Sequence, residues 1–115
     1  MTVTIYHNPR CSKSRQTLAL IEDKGVAPKI VDYLKAPPSV AELKRILKKL
    51  GLKAREIVRQ GEARYAALGL KDKDIGEDEL LALMVENPIL IERPIVVSGE
   101  RAAIGRPPEA VLKIL

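Results

Sequence analysis

Residues 2–15 read Thr2-Val3-Thr4-Ile5-Tyr6-His7-Asn8-Pro9-Arg10-Cys11-Ser12-Lys13-Ser14-Arg15. Val3 and Ile5 alternate with Thr2, Thr4 and Tyr6, the two-residue period of a half-buried strand that ends near His7. From Cys11 or Ser12 the pattern turns helical, with Thr17, Leu18 and Ile21 apolar-periodic and Gly25 as the stop. Lys29-Ile30-Val31-Asp32-Tyr33 then reads as a second short strand. Strand, helix and strand in this order make a βαβ unit with parallel strands and a right-handed connection. The same reading puts Cys11, the only cysteine, at a helix start, where unpaired backbone N–H groups and the helix dipole favour negative charge. Lys13 and Arg15 add full positive charges, so the expected form of Cys11 is a reactive thiolate. A lone cysteine is more commonly a small buried hydrophobe, and the polar and basic flanks argue against that fate here.

Working outward, Pro37-Pro38-Ser39 breaks the chain and opens a helix, with Ser39 and Glu42 spaced as a capping box. Val40, Leu43, Ile46, Leu47 and Leu50 share a face of it, and Gly51 ends it. Ala54 to Gln60 reads as a further helical segment, Tyr65 to Leu70 as turn-rich, and Glu77 to Glu86 as a helix stopped by Asn87-Pro88. Ile95-Val96-Val97-Ser98 and Arg101-Ala102-Ala103-Ile104, joined by Gly99-Glu100, form an antiparallel hairpin. Gly105-Arg106-Pro107-Pro108 leads into a last helix carrying Val111, Leu112 and Leu115. The sum is an α/β chain with a four-stranded mixed sheet flanked by helices, a thioredoxin-like arrangement. Residues 1–115 are expected to form one such domain, with a helical insertion at about 37–87. In that fold the residue before the third strand is a cis proline facing the first helix's N-terminus, and Pro94 holds that place.

The chain has 115 residues, enough for a core without staples. One cysteine forbids an internal disulfide, and one histidine leaves no zinc set, so no metal is expected. The apolar runs Ile89-Leu90-Ile91 and Ile95-Val96-Val97 are far too short to span a bilayer, and no leader pattern precedes them; a soluble, cytoplasmic protein without a membrane partner is expected. Aromatics are 3%, all tyrosine (Tyr6, Tyr33, Tyr65), so base stacking has almost nothing to work with. The net charge of +5 is uneven, +8 over residues 1–64 and −3 over 65–115. That points to an anionic partner, and the absence of aromatic interleaving favours a small anion over nucleic acid. The Lys44-Arg45 and Lys48-Lys49 pairs read as a solvated helix face.

Three separated motifs, His7-Asn8-Pro9-x-Cys11-x-x-Ser14-Arg15, Glu92-Arg93-Pro94-Ile95-Val96-Val97 and Gly105-Arg106-Pro107-Pro108-Glu109, lie in one order along the chain. Through them the sequence resembles the glutaredoxin-linked arsenate reductase family, most closely its short chromosomal members. The resemblance implies that Cys11 attacks arsenate or a similar oxyanion. Glutathione, a co-substrate rather than a bound cofactor, then displaces the arsenic to leave a mixed disulfide, which glutaredoxin helps resolve. The family's three anion-binding arginines fall on Arg59, Arg93 and Arg106. A doubly charged oxyanion approaching a thiolate needs such cations, and planar guanidinium forks suit it. Supporting roles fall to His7, which orders the loop, to Asn8 and Ser14 as hydrogen-bond donors near the thiolate, to Arg15 in the first helical turn, and to Pro94. Ser14 stands where a Cys-x-x-Cys enzyme has its second thiol. Arg10-Cys11-Ser12-Lys13 departs from the small residues some members carry around the cysteine, and the chain lacks the C-terminal tail of longer members.

Two rival readings share this fold. A glutathione-linked thiol transferase would use Cys11 on disulfides instead of an oxyanion. A transcriptional regulator binding RNA polymerase would sense oxidation through Cys-x-x-Cys, which Ser14 removes. The phosphatase-like arsenate reductases need Cys-x5-Arg, whereas position 17 here is Thr.

Overall fold

In the computed structural model, which describes residues 2–115, the chain divides into two compact units: Met1–Ala36 with Arg93–Leu115, and Pro37–Glu92. The first unit is built on four strands: β1 (Val3–His7), β2 (Lys29–Asp32), β3 (Ile95–Ser98) and β4 (Arg101–Ile104). Their spatial order is β2-β1-β3-β4, with β1 parallel to β2 and β3 antiparallel to both β1 and β4. Register places Ile5 opposite Ile30 and Val96, and His7 opposite Asp32. The strand period therefore puts His7 on the face that also carries Val3 and Ile5.

That face is covered by α1 (Ser12–Asp23) and by a C-terminal 3₁₀ segment, Pro108–Ile114, which pack against each other. Val3, Ile5, Ile21, Val96, Val111 and Ile114 form one apolar cluster, with Leu18, Val26, Ala103 and Leu115 packed on it. The last helix expected from sequence is thus of the tighter kind. Its buried residues are Pro108, Val111 and Ile114, spaced by three as three residues per turn require; of the expected face Val111 is buried, and Leu112 and Leu115 are only partly so. Strand β2 stops at Asp32, one residue short of the expected Tyr33.

The second unit is helical: α2 (Val40–Leu50), α3 (Ala54–Ile57), α4 (Ala63–Ala67) and α5 (Glu77–Glu86), with 3₁₀ turns at Leu70–Asp72 and Pro88–Leu90. It runs to Glu92, beyond the expected 87, because Ile91 makes an antiparallel bridge to Val58. The same bridge shortens α3, which does not continue to Gln60: Arg59 N–H donates to the Leu90 carbonyl at 2.7 Å and Glu92 N–H to that of Ile57 at 2.9 Å. The expected turn-rich passage holds α4 instead, with Tyr65 buried; its Ala-rich sequence favours helix. Ser39 caps α2 by accepting the Glu42 N–H at 3.1 Å, and Gly51 closes it at φ 71°. Helices α2 and α3 both pack on α5, whose Glu77 carboxylate caps α3 by accepting the Ala54 N–H at 3.0 Å. Among the described residues no helix is long and apolar enough to cross a membrane.

Candidate active site

Cys11 occupies the N-cap of α1 in extended conformation, and the Arg15 N–H donates to its carbonyl at 3.0 Å. Its own N–H donates to the Asn8 carbonyl at 3.0 Å, closing a turn that sets the sulfur over the first helical turn. Partial burial works against the thiolate, but the backbone N–H of Ser14, the Arg93 side chain by hydrogen bond and charge, and the backbone N–H of Lys13 outweigh it, so the pKa is lowered. The helix start, expected to favour a thiolate, does so here through named N–H groups. Among the described residues Cys11 is a free, half-buried cysteine.

Two of the expected arginines converge on this sulfur. The Arg93 guanidinium donates to it, and Arg106 Nη2 lies 3.8 Å away. Arg106 is held in place by its Nε, which donates to the Arg93 carbonyl at 2.8 Å, so one arginine's backbone fixes the other's side chain. Between them, the Arg93-Pro94 peptide is cis and Pro94 is buried; Arg106-Pro107 is also cis. Arg59 belongs to the helical unit and lies after α3 rather than on it. Its Nε donates to Glu62 at 3.1 Å and its Nη1 to Glu92 at 2.9 Å.

The supporting residues form a buried chain behind the loop. Asn8 N–H donates to Ser14 Oγ at 3.0 Å, and Ser14 Oγ lies 2.7 Å from His7 Nδ1. All three are buried. Burial lowers the His7 pKa, Arg15 adds to this, and Asp32 opposes it. A neutral ring accepts the Ser14 hydroxyl proton at Nδ1, which leaves the Ser14 oxygen to receive Asn8 N–H. Asn8 Oδ1 accepts the Arg10 N–H at 3.0 Å. Asn8 and Ser14 thus shape the loop, and what Ser14 gives the sulfur is its backbone N–H rather than its hydroxyl. Arg15 is exposed and donates from Nη1 to the Pro9 carbonyl at 2.9 Å. It braces the loop.

Sequence reasoning left two residues here unassigned. A Cβ at Gly105 would collide with Thr17 Oγ1 and lie 2.8 Å from Pro94 Cγ, so only glycine lets the chain pass between α1 and the proline. Its N–H donates to the Pro94 carbonyl at 2.9 Å. A glycine between a strand and an Arg-Pro-Pro run was the available signal. The second is Asp32, which pairs with His7 across the sheet and acts on its charge.

The model of the ArsC family matches residues 6–114. An uncharacterized protein of Escherichia coli, YfgD, is 54% identical over 98% of this chain and 96% of its own length. An arsenate reductase of Haemophilus influenzae is 52% identical over all of both chains. Among solved structures, an arsenate reductase from Vibrio cholerae superposes with a TM-score of 0.96 at 54% identity, covering 100% of this chain and 98% of its own.

Proposed function

Because this chain belongs to the ArsC family, we propose that it reduces arsenate to arsenite with glutathione as electron donor and Cys11 as nucleophile. The observation that carries this reading is the Cys11 sulfur held between the Arg93 and Arg106 guanidinium groups. A disulfide-exchange enzyme needs a cation only to stabilise its thiolate, whereas an oxyanion needs further donors to approach a like charge. A switch working through two thiols has no second sulfur here, since position 14 is serine.

The steps balance as follows. The thiolate attacks arsenic, a sulfur–arsenic bond forms, and one arsenate hydroxyl takes a proton from solvent and leaves as water. A glutathione sulfur then attacks Cys11 sulfur. The sulfur–arsenic bonding pair stays with arsenic, taking it from As(V) to As(III), and the glutathione proton goes to an arsenic oxygen. Arsenous acid departs, and Cys11 is left as a mixed disulfide with glutathione, which glutaredoxin and a second glutathione reduce. Arg93 and Arg106 hold the oxyanion and offset the charge that accumulates as sulfur closes on it. Arg59 is assigned to the same anion by its match to the family pattern, and its substitution tests that assignment.

The decisive assay is arsenate-dependent NADPH oxidation with glutathione, glutaredoxin and glutathione reductase. Turnover is expected with the native chain, with loss in Cys11→Ser and a fall of at least tenfold in Arg93→Ala. Absence of arsenate-dependent oxidation by the native protein, with a disulfide substrate reduced instead, would establish the thiol-transferase reading.

A further inference from the structure

A cleft of about 540 Å³ opens in the sheet unit, lined by Asn8, Pro9, Arg10, Asp32, Leu34 and Lys35. Its volume falls in the roughly 300–1,000 Å³ range of small-molecule sites. It flanks the cysteine loop: Arg10 is the residue before Cys11, and the Asn8 carbonyl accepts the Cys11 N–H at 3.0 Å. Its charges are of both signs. Arg10 and Lys35 are exposed cations, and Asp32 is the one carboxylate. Asp32 Oδ1 is buried and has no hydrogen-bond partner in the structure. A carboxylate oxygen out of water and unpaired is costly, and a cation bound at the part-exposed Asp32 side chain would offset that cost. The backbone around it is settled, with Lys35 N–H donating to the Asp32 carbonyl at 3.0 Å. Unspent acceptor capacity on one side and two cations on the other describe a receptor for a zwitterion.

We propose that this cleft binds the reducing thiol as an amphoteric molecule of the glutathione class, its α-ammonium on Asp32 and a carboxylate on Arg10 and Lys35, with the sulfur directed at Cys11. The proposal rests on the reading that an outside thiol resolves Cys11. Arsenate is not involved, because its charge matches only half of the lining. In the exchange step the bound thiol gives up its proton and its sulfur attacks a disulfide on Cys11, one sulfur–sulfur bond forms as another breaks, and the departing sulfur takes up that proton.

The test uses the full chain with Cys11 converted to its S-methylthio disulfide, so no arsenate chemistry is required, and follows loss of the adduct by intact mass. With native protein the rate should saturate as glutathione rises and stay linear in 2-mercaptoethanol, which lacks both the ammonium and the carboxylate. Asp32→Asn and Lys35→Glu should each abolish saturation and slow low-concentration glutathione about tenfold, and Lys35→Glu should leave 2-mercaptoethanol within twofold. Lys35 is exposed, so its variant reads the cleft without a folding penalty. A linear, substitution-insensitive glutathione rate overturns the proposal. Equal slowing of both thiols by Asp32→Asn overturns it too, since Asp32 would then act through His7 on the sulfur. Failure of arsenate reduction with these exchange results intact would count against the arsenate reading alone.

Discussion

The thiolate of Cys11 is made by three kinds of contact, each with its own dependence on sequence. The Ser14 and Lys13 N–H groups come with any helix that starts at Cys11, whereas the Arg93 contribution depends on one side chain brought from the far end of the chain. Alkylation of the native protein by iodoacetamide, followed against pH, should therefore show a midpoint below about 8.5, the ordinary thiol value. Arg93→Ala removes both a hydrogen bond and a charge, so its midpoint should rise toward the ordinary thiol value. Arg106→Ala should raise it less, because that contact is long at 3.8 Å. The sign carries over to stability: an acid whose folded pKa is lowered adds stability that is present above the unfolded thiol pKa and lost as pH falls through the folded one. An unchanged midpoint in Arg93→Ala would remove the arginine from the thiol's electrostatics. At this scale the family resemblance named Arg59, Arg93 and Arg106, and the guanidinium groups of Arg93 and Arg106 lie at the Cys11 sulfur. Ser14 donates to the sulfur through its backbone N–H, while its hydroxyl serves His7 and Asn8, a division that depends on neighbours sequence spacing does not reveal.

Elements whose signals are local were legible, and those decided by distant partners were not. Alternation fixed β1, the capping serine and Gly51 bounded α2, and Gly99-Glu100 marked the hairpin. Helix α3 ended early because Val58 is claimed by Ile91, a partner thirty-three positions away. The terminal segment was read at 3.6 residues per turn, although Pro108, Val111 and Ile114 repeat every three. Gly105 is the element-scale constraint with the largest consequence. It lets β4 hand over to the Arg106 turn while touching both α1 and Pro94. Gly105→Ala must push Thr17 or Pro94 aside, and overpacking of this kind costs about 1–3 kcal/mol. Urea denaturation should show a loss of that size, and arsenate-dependent turnover should fall more than tenfold, because Arg93 and Arg106 are carried by the displaced segments. Thr17→Ala in the same chain should recover part of the stability. A Gly105→Ala protein of native stability and turnover would show that the crowding is relieved without moving the arginines.

Over the whole molecule the charge is more sharply divided than the two sequence halves suggest. Residues 1–36 and 93–115 hold ten Lys and Arg against five acids, whereas residues 37–92 hold ten of each, so the entire +5 excess sits on the unit that bears Cys11. Such a field raises the encounter rate of anions with a site already made cationic. In the proposed scheme it serves glutathione, itself a net anion, as well as the oxyanion. The chain contains no other sulfur nucleophile, because Ser14 stands where a dithiol enzyme keeps its second cysteine and the methionine thioethers do not exchange. An oxidised Cys11 can therefore be returned to the thiolate only by a thiol from outside. After incubation with arsenate and glutathione, and before glutaredoxin is added, intact mass should show one glutathione per chain, located on Cys11 and absent from Cys11→Ser. Arg93→Ala should form the adduct more slowly with arsenate, because the variant loses the side chain that stabilises the thiolate and, in the proposed scheme, holds the oxyanion, and glutathione disulfide supplied directly should still load that variant. Sustained turnover with thioredoxin as the only thiol source would overturn the scheme, since that route supplies no glutathione to displace arsenic from Cys11.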